Sequence, residues 1–413
     1  MNETVLIRQL AGDVAPMSPS AFEAGRRRIL TLHRWVGACQ VTRVLWFVAL
    51  AVLPVVLAAT GAYLLDLQVY RTGGLAWREG VPLYAGFPGT LDGPRLPFTY
   101  PPMAAVLFSG LTFLPVWAVN TLVTVVNFLC LSVVCFLVTR RLTQRATVVW
   151  TVSAAVSVAA LALEPVLSTF LFGQINLLLM ALVVVDCLAV TDRRWRGVLV
   201  GVAAAIKLTP LIFLLYFLVR GDRRAALTSV ATFAGLAGAG FVLAPKDSAE
   251  FWFHALLDPS RAGGLAYMAN QSLRGVLHRF NPGQPAETLL WVLLSGVVVL
   301  LAVVAARRTR NDVVALVAIA TAGLLASPVS WSHHWVWCVP AFLALGFLRG
   351  NGTRVALAAL VVVFSIRPFT WLPGTGDREV LWTWWQHLYG DVYTWIAIGL
   401  LMTLAVTAVT GHA

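Results

Sequence analysis

Long apolar runs dominate the chain, separated by short arginine clusters or by loops rich in Trp, Gly and Pro. A membrane-spanning helix needs about 20 mostly apolar residues. By that measure the runs at 43–65, 117–139, 147–163, 175–190, 224–244, 288–306, 312–326, 353–369 and 392–410 predict spans. A run at 100–115 is short and opens on Pro101-Pro102, and another covers 335–348. The stretch 196–219 is interrupted by Lys207-Leu208-Thr209-Pro210 and reads as one broken span or a hairpin of two half-helices. The expected architecture is an all-α polytopic membrane protein of about 12 transmembrane helices. One transmembrane domain over 43–410 follows an N-terminal tail, 1–42, and leaves 411–413 as a C-terminal end. No internal repeat stands out.

Basic clusters orient the spans, because cytoplasmic loops carry an excess of Lys and Arg. Clusters lie at 26–34, 140–145, 193–196, 220–224, 307–310 and 349–354. Placing them all inside puts the loops 66–99, 245–287, 327–334 and 370–391, with the turn 164–174, on the outer face. The tail 1–42 is then cytoplasmic and the first run a signal anchor. This requires 196–219 to return to its starting side and 100–139 to cross once, which fits poorly with two apolar runs there. The outer loops are aromatic, with Tyr70, Trp77 and Tyr84 in the first, and Trp371, Trp382, Trp384 and Trp385 in the last. In the second loop, Asp247 with Glu250 three residues on predicts a capped helix start.

Composition narrows the class. Of 413 residues, 59% are hydrophobic and 12% charged, and the mean hydropathy is +0.81. A soluble domain has about 25% charged residues, so a soluble, disordered, collagen-like or disulfide-scaffold protein is excluded. The net charge is +12, almost all from arginine, with lysine only at Lys207 and Lys246. The short basic runs between apolar segments suit anionic lipid, not nucleic acid, so no nucleic-acid partner is expected. Cys39, Cys130, Cys135, Cys187 and Cys338 form no CxxC and predict neither a metal site nor a disulfide framework. HExxH, Walker A, GxSxG and DxD patterns are absent, which leaves protease, ATPase, serine-hydrolase and soluble nucleotide-sugar chemistry without support.

An ionisable or polar residue at membrane depth needs a reason. Asp66 ends the first apolar run and sits at the outer boundary, where a carboxylate half out of water can act as a general base. The alternative is an ordinary helix-end acid. Thr99-Tyr100-Pro101-Pro102 fixes an extended lead into the next helix. Glu164-Pro165 and Gly173-Gln174-Ile175-Asn176 flank an outer turn, where Gln174 and Asn176 can meet sugar hydroxyls or phosphate, or else cap and bridge helices. Asp186 reads as structural, paired with an arginine of 193–196. Lys207, three residues before Pro210, can line a polar cavity and hold an anion, or snorkel to the interface. Asn270-Gln271-Ser272-Leu273-Arg274, followed by His278-Arg279, forms a polar cationic patch able to clamp a phosphate through arginine. In Ser327-Pro328-Val329-Ser330-Trp331-Ser332-His333-His334 the adjacent histidines cannot share a helix face, so a metal pair is not expected. One of them can point into a cavity.

In their order and spacing these motifs resemble the GT-C glycosyltransferases of the actinobacterial cell envelope that use polyprenyl-phosphate mannose and make α-1,2 linkages. The residues that carry the resemblance are Asp66, Thr99 to Pro102, Gly173 to Asn176, Lys207 to Pro210, Ser327-Pro328 and Trp331 to His334. Within the group the likeness is greatest to enzymes that elongate phosphatidylinositol mannosides. The resemblance implies a lipid-linked mannose donor, a glycolipid acceptor, a plasma-membrane location with the site on the outer face, and no cofactor. It makes Asp66 the base in an inverting displacement. In such a reaction cations should gather on the donor phosphate, for which Lys207, Arg274 and His333 or His334 are the candidates, and Tyr70, Tyr100, Gln174, Asn176, Asn270, Gln271 and Trp331 are the candidate substrate contacts. The alternatives are a lipomannan mannosyltransferase, a related arabinosyltransferase, or a transporter or flippase of a lipid-linked sugar. A transporter predicts two related halves and mid-membrane charges, of which Asp186 and Lys207 are the candidates.

Overall fold

The computed structural model describes residues 63–407, apart from 87–92, 94–95, 259–260, 262 and 375, together with most of 40–56. The expectations for the tail up to residue 39 and for 411–413 lie outside the described residues. Among those residues the fold is helical, and its β pairing is one antiparallel bridge between Asn270 and Trp331.

Val116–Leu142, Arg223–Leu243 and Ala286–Arg308 are long and apolar enough to cross a bilayer. Two further pairs, Ala146–Ala162 with Glu164–Phe172 and Trp384–Gly390 with Val392–Val406, meet the same test across a 74° bend. The remaining expected spans appear as shorter helices, among them Asn176–Leu188, Asp312–Ala326 and Asn351–Ile366. Straight helix length therefore does not deliver the expected count. The 15 residues of Asp312–Ala326 rise only about 22 Å against about 30 Å of hydrocarbon. The chain continues such helices through kinks and 3₁₀ turns. The run 100–115 becomes Pro102–Phe108 with a 3₁₀ turn, Ser109–Phe113, and 335–348 becomes Cys338–Gly346 after Ser332–Trp337. In 196–219 the Val198–Ile206 helix stops at Lys207, whose backbone is extended (φ −149°, ψ 129°), and resumes as Thr209–Phe213 with Pro210 in its first turn.

The Asp312–Ala326 helix runs through the centre and carries no charge beyond its first residue, since nearly every side chain from Val313 to Ala322 is buried. Ala286–Arg308 packs along it, and Val116–Leu142 lies beside Asn176–Leu188 and Ala146–Ala159. The outward face of Ala286–Arg308 exposes Leu289, Leu293 and Leu300, as a lipid-facing helix does. Asp186 is structural as expected, but its main partners are backbone. Its carboxylate accepts from the N–H groups of Gly197 and Val200 (2.7 and 2.8 Å) at the start of Val198–Ile206, where the helix dipole favours an anion. The expected capping by Asp247 is corrected. The Pro245–Phe253 helix starts at Pro245, and Asp247 accepts instead from the Leu83 N–H (2.8 Å), tying the loop after Leu65–Glu79 to this helix.

At one end of the bundle Leu65–Glu79 lies across Pro102–Phe113. The two backbones approach so closely that a Cβ on Gly74 would stand 2.6 Å from the Ser109 nitrogen. Glycine at this position lets Tyr70 reach Tyr100. Gly74→Ala is expected to destabilise the protein by about 1–3 kcal/mol, as overpacking against backbone does, read as a lowered melting temperature in detergent.

Candidate active site

Asp66 occupies the first turn of Leu65–Glu79, just beyond the first apolar run, and is half-buried. Its Oδ2 accepts from Gln174 Nε2 at 2.7 Å. Gln174 Oε1 accepts from the Tyr70 hydroxyl at 2.6 Å, and that hydroxyl lies 3.0 Å from the Tyr100 hydroxyl. An ionised carboxylate only accepts, so it orients the amide. The amide oxygen then takes the Tyr70 proton, which leaves the Tyr70 oxygen to accept from Tyr100. One polarity runs through the chain, from Tyr100 to Tyr70 to Gln174 to Asp66. Asn127 Nδ2 holds the Gln174 backbone carbonyl at 2.9 Å, and Tyr84 holds the Tyr100 carbonyl at 2.6 Å. Burial raises the Asp66 carboxyl above the ordinary carboxylate value, while the Gln174 bond and the Lys207 charge pull it back down.

Across from Asp66, the break in 196–219 turns Lys207 inward. Its Nζ is 2.9 Å from His334 Nε2, 3.4 Å from Asn176 Oδ1 and 5.6 Å from the centre of the Tyr100 ring. The Trp331 backbone N–H donates to His334 Nδ1 at 3.1 Å. Burial, followed by the Lys207 and His333 charges, holds the His334 ring well below its ordinary value and hence neutral. With Nδ1 accepting, the proton sits on Nε2. Two N–H donors, Nζ and Nε2–H, therefore face each other. Beside them opens a cleft lined by Asn176, Ser327, Met180, Phe213, Leu324 and Trp337. Among the described residues no group of three or more His, Cys, Asp or Glu side chains converges.

His333 does not share this geometry. It is buried edge-on against Phe172 (5.5 Å between ring centres), and its carbonyl is gripped by Asn176 Nδ2 (3.0 Å) and the Thr169 hydroxyl (3.2 Å). The turn that aims His334 rests on Glu164. This buried carboxylate accepts from Ser168 and Ser332 (both 2.8 Å) and from the Tyr393 hydroxyl (3.1 Å).

The structure thus brings Asp66, Tyr70, Tyr100, Gln174, Asn176, Lys207 and His334 together. Tyr70 is buried behind Asp66 as a brace. Trp331 contributes its backbone N–H, while its ring meets Tyr267 edge-on at 5.8 Å. The expectation that Asn270 and Gln271 bind substrate is corrected, because both are fully buried and saturated within the fold. Asn270 accepts from the Ser330 N–H (3.0 Å) and donates to the Leu265 carbonyl (3.1 Å). Gln271 donates to the Met268 and Gly390 carbonyls (both 2.8 Å) and accepts from the Tyr393 N–H (3.2 Å). Arg274 is likewise engaged elsewhere, with Nε 3.4 Å from Glu287 and its guanidinium 4.8 Å from the Trp291 ring centre. Its proximity in sequence to Asn270 does not bring it to Lys207. Asn127, Thr169 and Tyr393 escaped the sequence reading. For Asn127 a signal existed, an amide inside an apolar run.

A lipid-embedded helical enzyme is the class these features define, and the chain belongs to glycosyltransferase family 87, whose model matches residues 98–328. It is 40% identical over 367 residues to a polyprenol-phosphate-mannose-dependent alpha-(1-2)-phosphatidylinositol mannoside mannosyltransferase of Mycobacterium tuberculosis, covering 84% of this chain and 85% of that one. The protein of the same description from Mycolicibacterium smegmatis is 38% identical, with 84% of each chain covered. Among solved structures, ArnT from Cupriavidus metallidurans bound to undecaprenyl phosphate matches 87% of this chain and 71% of its own, at a TM-score of 0.45 and 17% identity.

Removing the Glu164 carboxylate strands three buried hydroxyls. Glu164→Ala is expected to destabilise the protein by about 1–3 kcal/mol and to lower glycosyl transfer further through a misplaced His334. Melting temperature and turnover measured on the same sample check both.

Proposed function

We propose that the chain is an inverting α-1,2-mannosyltransferase. It moves mannose from polyprenyl-phosphate mannose to the 2-hydroxyl of a mannosylated phosphatidylinositol, at the outer face of the plasma membrane. Asp66 accepts the proton of the acceptor hydroxyl as that oxygen attacks the anomeric carbon. The bond from that carbon to the phosphate oxygen breaks on the opposite side, and its electron pair leaves with the polyprenyl phosphate. One base suffices, because the departing polyprenyl phosphate, a phosphate monoester, leaves without strong acid help. The observation that carries this reading is the pair of opposed donors, Lys207 Nζ and His334 Nε2–H, 2.9 Å apart on the lining of a largely apolar cleft, with the half-buried Asp66 carboxylate near enough to feel the Lys207 charge. One anionic oxygen accepting from both donors resolves their opposition and stabilises the charge that develops on the leaving group. The apolar interior of the cleft suits the polyprenyl chain. The donor and acceptor named for the mycobacterial relatives support the substrate assignment, and the inside placement of the arginine clusters supports the outer location of the site.

Transfer by the purified protein from polyprenyl-phosphate mannose to a phosphatidylinositol mannoside is the direct test. Asp66→Asn is expected to lower turnover by about 10²–10⁴-fold, the usual worth of a positioned base, and a chelator is expected to leave wild-type turnover unchanged. Full activity in Asp66→Asn removes Asp66 from the mechanism. Failure of wild type on several acceptors points to a different donor sugar.

The same assay across pH tests the environment of the base. Asp66 must be ionised to accept a proton, so transfer falls as pH drops through a value that burial has raised from the ordinary one. Gln174 stabilises the ionised form. Gln174→Ala is therefore expected to move the acidic limb to higher pH, and a shift toward lower pH contradicts that assignment.

A further inference from the structure

The last outer loop carries a stripe that the proposed reaction does not use. Leu381, at the end of a 3₁₀ turn, and Trp384, Trp385 and Leu388, on the Trp384–Gly390 helix, are 78%, 76%, 47% and 60% exposed. Trp384, Trp385 and Leu388 lie on the exposed side of the helix, Leu381 stands before it across the extended residues Trp382 and Thr383, and Trp382, His387 and Gly390 face inward. Between Leu381 and Gly390 no charged side chain is exposed. Four exposed large apolar side chains within eight residues demand a cover.

The geometry says what covers them. The Trp384–Gly390 helix meets Val392–Val406 at 74°. Val392–Val406 packs against the 23-residue apolar helix Ala286–Arg308, and the Arg308 guanidinium donates to the Ala405 carbonyl, joining the two helices at their C-terminal ends. The pair therefore runs side by side in one direction, along the bilayer normal that the longer helix defines. A helix set at 74° to that direction lies close to the membrane plane. It lies at the Asp66 end of the bundle, because Tyr393, at the start of Val392–Val406, donates to Glu164, which in turn holds the His334 turn.

The corner is built, not incidental. Asp391, fully buried between the two helices, has Oδ2 2.7 Å from His387 Nδ1 and Oδ1 2.5 Å from Arg279 Nη2. Arg279, also buried, donates on to the carbonyls of Ala266, Tyr267 and Asn270. Trp395 Nε1 donates to the His387 carbonyl at 2.7 Å, closing the corner from the other helix. The cluster fixes the angle and ties it to the loop that bridges to Trp331.

We infer that Leu381, Trp384, Trp385 and Leu388 form an interfacial membrane contact, seated at the headgroup and acyl boundary of the leaflet on the Asp66 side. The Trp and Leu composition suits that layer, where amphipathic rings rest at headgroup level and aliphatic side chains reach the acyl region. The inference stands apart from the reaction proposed above, since it concerns only where this face sits.

The test places a bimane label on Leu381→Cys and, separately, on Leu388→Cys in the full chain in nanodiscs. Arg193→Cys, in an exposed arginine-rich turn, serves as the shallow reference. The unmutated chain, labelled in parallel, sets the background from native cysteines. Labels at 381 and 388 are expected to lose more fluorescence to acyl-brominated lipid than the label at 193, and less to aqueous iodide. Because both side chains are exposed, either variant alone suffices if the other fails to fold. Quenching by iodide as strong as at 193 places the stripe in water and overturns the inference. Protection from both quenchers means that a second copy of the chain covers the face, and overturns it equally.

Discussion

A carboxylate at the edge of a bilayer must find its hydrogen-bond donors inside the protein, and Asp66 takes its donor from Gln174. That single bond sets the direction of every proton in the chain behind it. Gln174 can donate to Asp66 only with its oxygen toward Tyr70, and Tyr70, having given its one proton to that oxygen, can only accept from Tyr100. Three stretches of sequence, at residues 66–70, 100 and 174, are thereby held in one arrangement. Asn127 and Tyr84 brace it from a fourth and a fifth. The result is a carboxylate whose proton affinity is raised by burial yet moderated by one bond and one charge, as a general base requires.

The cationic side of the site obeys the same rule through a different device. A regular helix would direct Lys207 as one more residue of an apolar span. The extended residue and the Pro210 turn instead break the ladder and turn its ammonium toward Asn176 and His334. The position of His334 is set by Glu164 through Ser332, by Thr169 and the cleft-lining Asn176 through the His333 carbonyl, and by the Trp331 N–H through Nδ1. Glu164 also reaches Tyr393, so the helix that ends the fold shares an anchor with the turn that carries the histidine. The loops at this end of the bundle in turn meet at Asn270, Gln271, Arg279 and Asp391, whose buried hydrogen bonds tie them together.

Much was legible in the chain itself. Hydropathy alone defines a helical membrane protein, and the long runs became helices close to their expected bounds, as in Val116–Leu142 for 117–139 and Arg223–Leu243 for 224–244. Lipid supplies no hydrogen bonds, so an apolar run of that length has to be helical wherever it sits. Asp66, Gln174, Asn176 and Lys207 stood out for the related reason that polar groups in apolar surroundings are few and need partners.

Tertiary structure decided which partners they found. Asn270, Gln271 and Arg274 looked like ligands because they are polar and close in sequence, yet the fold uses up the two amides and turns the arginine to Glu287 and Trp291. Asn127 and Tyr393 are polar groups on largely apolar helices, and their roles exist only across more than 40 residues of intervening chain. Adjacent His333 and His334 are equivalent in sequence. A 3₁₀ turn points one ring at Lys207 and packs the other against Phe172. Burial in lipid is a property of composition and can be read residue by residue. The pairing of buried polar groups is a property of distance between remote segments, and only packing sets that distance.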